Sequence, residues 1–440
     1  MTSRLSRRQV LGAACAGLLP WSRSPVAQQA YFPPSEKDGG WRVAEAGAVG
    51  VDEARLAEAI AFHDGHRVTT SYGGALVVVV AGHVIGETYV TGVDGGPQPW
   101  TATTCNDMKS STKSVFGTAV GVFLDEYKDR VRLESDLVGD SRQTSLVPQI
   151  WDQPLTDPRK TRIKVKHALS MTSGHVSREP WLAPAARHHF DGYRGPFQMY
   201  EYCFGWWRFD GIPDHHLLMF EPGSDWNYSN YGLEQMALAM RNLSGERVGP
   251  YVYDRVLGPI GMPVGLRDNE FRDMPYRTDK ELNFASEPGW GVGGSVGCDA
   301  YGADKSESPY GVNTIVGSTF RCTARDFARL GYLWLHQGRW GDRQLVPESF
   351  LRVATKRFVR DNGETPNNYG YTFWMQDELE GVPQDLFMSR GHNLNHSFVI
   401  PSLDLVVVRQ GNENRQAQGE PRFEATLIQK IVAAIRPKNA

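Results

Sequence analysis

Cysteine is scarce in this 440-residue chain, which has five. None stands in a Cys-x-x-Cys pair, so the ligand spacing of a structural zinc site is missing. Setting aside the N-terminal segment that holds Cys15, Cys105, Cys203, Cys298 and Cys322 remain, far apart, and their spacing assigns no disulfide. Neither sign of charge is in excess: 47 Lys and Arg against 50 Asp and Glu leave a net charge of −3. That balance gives no electrostatic case for nucleic acid or an anionic membrane as partner. The apolar run from Val10 to Leu19 is too short to span a bilayer. Internal repeats and low-complexity tracts are absent too. What is present, 40% hydrophobic and 22% charged residues, suits a globular chain with a sizeable core. Its length calls for two domains, or one domain with a large insertion.

Residues 1–27 combine a basic head containing Arg7-Arg8, the apolar run and small residues near Ala27, the pattern of an export signal. Ser6-Arg7-Arg8-Gln9-Val10-Leu11 resembles the twin-arginine address, so a periplasmic or extracellular location is expected. A Pro- and Gly-rich lead-in follows over 28–48. Asp52 to Phe62 has helical spacing, and "GALVVVVAGHVIGETYV" (74–90) holds two β-branched runs around Ala81-Gly82-His83, a hairpin signal. "KSVFGTAVGVFLDEY" (113–127) is apolar nearly all round, as a buried helix requires. Helical runs and Trp/Gly/Pro-rich loops fill 131–335. Strand signals return in "YGYTFWM" (369–375), "SFVIPS" (397–402) and "LDLVVVRQG" (403–411), before a helical pattern over 423–436. Strands at both ends with helices between imply one sheet closed by distant parts of the chain. The expected division is a first α/β part over 49–130, a mainly helical insertion over 131–335 and a second α/β part over 336–440.

Two short stretches carry chemistry. In "KSSTKS" (109–114), Ser110 and Lys113 are three apart, which puts them on one helical face with the amine able to fold back on the hydroxyl. The stretch lacks the glycines of a phosphate loop. A lysine serves as base only after losing its proton, which an apolar helix face and a cation such as Lys109 favour. By itself the pair is a weak pattern that reads more readily as an N-cap serine with a solvated lysine. Downstream, Tyr228-Ser229-Asn230 lies on a loop after Pro222-Gly223 and before a helix, where Ser229 or Asn230 could equally cap that helix.

In combination and in this order, the stretches resemble the serine hydrolases of the class C β-lactamase and DD-peptidase family, near its carboxylesterase and 6-aminohexanoate-dimer hydrolase branch. Supporting text lies in "IKVKHALSMTSG" (163–174), "GPIGM" (258–262), "CTARDFARLGYLWLHQGRWGDRQLVP" (322–347) and "PSLDLVVVRQG" (401–411), and the likeness runs over about 50–436. It implies an α+β fold, an antiparallel sheet flanked by helices with a large mainly helical insertion. It implies Ser110 as nucleophile, with Lys113 and Tyr228 moving its proton and Asn230 orienting Lys113 or a substrate amide. The family's third motif falls at Ser389-Arg390-Gly391, counting back from Pro401. Ser389 stands where lactamases carry a basic residue for a substrate carboxylate, and Arg390 would point to the other face of a regular strand. Backbone N–H groups of Ser110 and of His392, after Gly391, would form the oxyanion hole. The expected substrate is a small ester or amide, with no cofactor and no metal. A DD-peptidase-like penicillin-binding enzyme and an inactive penicillin-recognition-like binding protein stand as alternatives.

Other features invite competing readings. Gly293-Gly294-Ser295-Val296-Gly297 matches the nucleophile elbow of α/β-hydrolases but lacks the flanking strand and helix that make it work. His188-His189 and His215-His216 are adjacent, so their side chains diverge; His392 and His396 could share a strand face, but no third ligand accompanies them. Trp181, Phe204, Trp206, Trp207, Trp226 and Trp290 either line a pocket or fill the helical core.

Overall fold

The computed structural model describes residues 30–93, 99–104, 106–176, 217–246, 248–262, 320–360, 363–365, 367–376, 378–411 and 421–435. Outside them lie the expected signal, Cys105, Cys203, Cys298, both histidine pairs, Ser295 with its glycines, and Trp181, Phe204, Trp206, Trp207 and Trp290.

Seven strands form the main sheet: β1 (Arg42–Val43), β2 (Gly74–Val80), β3 (His83–Val90), β4 (Trp374–Met375), β5 (Phe387–Gly391), β6 (Asn395–Ile400) and β7 (Leu405–Gly411), in the order β1-β3-β2-β7-β6-β5-β4. Valine-rich β2 and β7 are buried along their whole length at the centre, Val77 opposite Val408 and Val79 opposite Val406. Branched side chains fit such a pleated, doubly covered surface. Ala81 and Gly82, with φ of 49° and 77°, make the two-residue hairpin between β2 and β3, left-handed positions whose twist suits the flanking strands. Pairing is antiparallel except where β1, inside the lead-in, runs parallel to β3. That short edge makes the expected antiparallel sheet a mixed one.

The strand period of two divides the core. On one face Val77, Val79, Val399, Val406 and Val408 pack with α2 (Thr112–Glu126), α4 (Tyr231–Ser244) and α5 (Ala324–Leu335); on the other, Leu76, Val78, Val80, Phe398, Ile400 and Val407 pack with α1 (Glu53–Gly65) and α6 (Pro421–Ile435). Short α3 (Val165–Leu169) lies against α4. Asp52 caps α1 through the Arg55 N–H at 3.1 Å, and Thr323 caps α5 through the Asp326 N–H. Helix α2 is buried from Thr112 through Phe123, as its all-round apolar sequence requires. Helix α5, at the end of the 131–335 range, lies on the sheet against β2, β6 and β7.

The strand expected over 369–375 is reduced to β4. Thr372 has φ of 67° and its carbonyl is taken by Ser114 Oγ at 2.6 Å, so the backbone there turns toward α2 instead of extending the ladder. No helix among the described residues is long and apolar enough to cross a membrane.

Candidate active site

Ser110 sits in a 3-10 turn, Lys109–Ser111, that runs directly into α2. Lys109 before it has φ of 51°, a left-handed backbone that a lysine keeps only when its surroundings dictate it. The surroundings are explicit. Met108 N donates to Phe320 O at 2.8 Å and Ser111 N to Met108 O at 3.1 Å. Thr112 Oγ1 donates to Lys109 O and accepts from Phe320 N at 3.0 Å. Ser111 Oγ donates to Asn395 O at 2.7 Å. One turn on, Lys113 Nζ donates to Ser110 Oγ at 3.1 Å, and the lysine is 2% exposed.

Tyr228 closes a second side. Its ring centroid is 4.8 Å from Lys113 Nζ, and it belongs to an aromatic cluster with Trp226, Tyr369 and Trp374, stacking on Trp374 at 6.1 Å. Burial first, and the neighbouring Tyr228 second, push the Tyr369 phenol well up, so it stays neutral. The loop bearing Tyr228 is tied to the 163–175 stretch: Asn227 N donates to Met171 O at 2.9 Å and Asn227 Nδ2 to His175 O at 2.6 Å. Ser229 Oγ accepts from Tyr231 N at 3.3 Å, so serine serves the start of α4. Asn230 makes no capping bond, and among the described residues its buried Oδ1 has no hydrogen-bond partner. Of the two residues that the sequence left equivalent, Asn230 is the one with an acceptor to spare.

The end of β5 makes the third side. Ser389, fully buried, donates from Oγ to Ser111 O at 3.2 Å. The Arg390 guanidinium lies 3.8 Å from Glu424 on α6 and 5.8 Å from the Trp374 ring centre, the opposite face expected from strand alternation. At Gly391 a Cβ would stand 2.1 Å from Met108 O and 3.1 Å from Ser111 N, so only glycine lets the strand approach the serine turn. The next residue, His392, opens a tight turn with an exposed side chain, and Asn393 and Leu394 have φ of 63° and 62°.

The structure therefore joins Ser110, Lys113 and the Tyr228 ring, and seats Ser389 and Gly391 on the serine turn. Trp226 is in the aromatic cluster beside the site. His392 and His396 do not share a strand face, because His392 is exposed in the turn while His396 is buried on β6. Asn395 was not singled out by sequence: its carbonyl holds Ser111, and its Nδ2 donates to His392 O at 2.8 Å. A hydroxyl bonded to a buried amine beside a phenol is a set suited to nucleophilic attack with proton removal.

A family model described as Beta-lactamase matches residues 65–427. No curated protein matches the chain significantly. Among solved structures, the chain is similar to a penicillin-binding protein homologue from Caulobacter crescentus, at 18% identity and TM-score 0.56 over 88% of this chain and 99% of that one. It is similar to a Bacillus anthracis protein provisionally described as a 6-aminohexanoate-dimer hydrolase, at 16% identity and TM-score 0.55, covering 91% and 89%. A family VIII carboxylesterase aligns at 18% identity and TM-score 0.54, covering 90% and 99%. At these identities the likeness carries the fold.

Proposed function

The chain belongs to the beta-lactamase family, and from that premise we propose that it hydrolyses a carboxylic ester or amide through an acyl-enzyme on Ser110. The observation that carries this reading is the 3.1 Å bond between Lys113 Nζ and Ser110 Oγ, made by a lysine with almost no exposure. Lys113 takes the hydroxyl proton as Oγ attacks the substrate carbonyl, whose π electrons move to oxygen. The backbone N–H groups of Ser110 and His392 receive that oxyanion. The proton passes by way of Lys113 and Tyr228 to the leaving oxygen or nitrogen, and the tetrahedral intermediate collapses to the acyl ester. Water, deprotonated by the same pair, attacks the ester and returns the serine hydroxyl. Asn230 Oδ1 is the acceptor offered to Lys113 or to a substrate N–H.

Substrate choice follows from Ser389. It brings no charge where a carboxylate-recognising enzyme needs one, and Arg390 is engaged on the far face. Neutral esters are favoured over β-lactams, in keeping with the ester- and amide-cleaving names of two structural neighbours.

The test is hydrolysis of a short p-nitrophenyl ester by the intact protein and by Ser110→Ala, with mass analysis of the acylated serine. We expect Ser110→Ala to lose at least ~1,000-fold in kcat and the acyl mass to sit on Ser110. Full activity in Ser110→Ala would refute the assignment, and loss on Ser295→Ala alone would transfer it to the nucleophile-elbow reading. A lasting penicillin adduct without ester turnover would favour the DD-peptidase alternative.

A further inference from the structure

Behind the turn that follows β5, on the α6 face of the sheet, lies a buried polar group that the mechanism above does not use. Three successive carbonyls of that turn are each held by a side chain. His396 Nε2 is 3.1 Å from Gly391 O, Asn395 Nδ2 donates to His392 O at 2.8 Å, and Arg409 Nη1 donates to Asn393 O at 2.7 Å. His396 and Arg409 are register partners on β6 and β7, at 1% and 2% exposure. Glu424 of α6 completes the group, its Oε2 3.3 Å from His396 Nδ1. Although burial works against its charge, His396, Arg390 and Arg409 together hold the Glu424 carboxyl below its ordinary range. Burial pulls the Arg409 guanidinium down to about 10, with Glu424 opposing.

The first of the three contacts bears on chemistry. In a trans peptide the C=O of one residue and the N–H of the next belong to one planar unit and point in opposite directions. The Gly391 carbonyl and the His392 N–H are such a unit. A donor that fixes the carbonyl on the α6 side therefore fixes the N–H toward the other side, where Ser111 and Met108 pack on Gly391. Left-handed Asn393 and Leu394 would otherwise give this turn little reason to keep one peptide orientation.

We propose that His396 is a positioning residue which, by donating from Nε2 to the Gly391 carbonyl, aims the His392 N–H at the substrate oxygen. The inference rests on the acyl-enzyme reading, in which that N–H is an oxyanion donor. A carbonyl only accepts, so the 3.1 Å contact between His396 and Gly391 O is made by an imidazole whose donor N–H is at Nε2.

The experiment compares His396→Gln, whose side-chain amide reaches about as far as Nε2, with His396→Leu, which has no donor. Activity is read as kcat and KM on the p-nitrophenyl ester, together with affinity for a boronic acid that forms a tetrahedral adduct on the serine. We expect His396→Leu to lose ~10- to 100-fold in kcat and in boronic-acid affinity with KM within about 3-fold, and His396→Gln to recover most of both. Equal losses in the two variants, or an unchanged kcat in folded His396→Leu, would overturn the proposal. Should His396→Leu fail to fold, His396→Asn, whose donor falls short of the carbonyl, replaces it under the same criteria. Ser110→Ala, run in parallel, separates the two claims. If it is inactive while His396→Leu is unimpaired, only the positioning role falls; if it is fully active, both fall.

Discussion

Gly391 shows how one missing methyl group allows two parts of a site to meet. Its φ of −118° is ordinary extended backbone, so conformation alone would admit any residue; the Met108 carbonyl is what excludes a side chain. We expect Gly391→Ala to push β5 from the serine turn, lowering kcat/KM at least ~100-fold and stability by about 1–3 kcal/mol, as read by ester hydrolysis and urea unfolding. An alanine variant with near-native kinetics would show that this approach is not needed. The glycine could be located by counting back from Pro401, but its reason could not be read, because Met108 approaches from a distant part of the chain. Ser110 and Lys113 were legible because their meeting depends on one helical turn. Asn395 and His396 were not: in "NLNHSFVI" they look like ordinary strand residues, and their partners Ser111 and Glu424 come from elsewhere.

Among the elements, the 163–175 stretch matters more than its size suggests, because it carries the loop of Tyr228. His175 ends it, with Nδ1 2.9 Å from Ser173 Oγ and Nε2 3.3 Å from Gln235 Nε2 on α4. Burial first, then the charge of Lys160, lowers its pKa from 6.5 to about 3, with Asp157 opposing. The unfolded chain takes up a proton near 6.5, whereas the folded chain refuses it until about 3. Stability that is full above 6.5 therefore drains as the pH falls toward 3, with a slope of up to ~1.4 kcal/mol per pH unit from this group. Urea unfolding between pH 7 and 4 should show a shallower slope in His175→Gln than in the native protein; equal slopes would remove His175 from the account. Most long elements were visible in the sequence: α1 follows helical spacing, α2 is apolar nearly all round, α4 and α5 fall in helical runs of 131–335, and β2 with β3 flank a two-residue turn. The exceptions are short. Two residues of β1 have no period to read, and the apparent strand at 369–375 hid a left-handed Thr372 whose carbonyl serves α2.

On the scale of the whole molecule, Arg329 gathers three regions. Completely buried on α5, it donates from Nη1 to Pro33 O at 2.9 Å and Ile260 O at 3.2 Å, and from Nη2 to Glu36 at 2.6 Å. It also stands 3.7 Å from the buried Asp326 carboxylate. Arg329→Met should cost about 3–5 kcal/mol, because it strips a buried acid of its cation, and should open residues 30–40 to limited proteolysis. Unchanged melting and an uncut lead-in would contradict this. The pairing of β2 with β7 has a different consequence, one of timing. Gly74 meets Gly411 across the centre of the sheet, and Ser111 is held by a carbonyl 284 residues further on. During synthesis the first half of the chain waits without the strand that completes its core, and contacts so far apart in sequence form slowly. The serine turn gains the Asn395 carbonyl that holds Ser111 only after β6 has been made, so on the proposed reading a chain still short of that strand is an inert one.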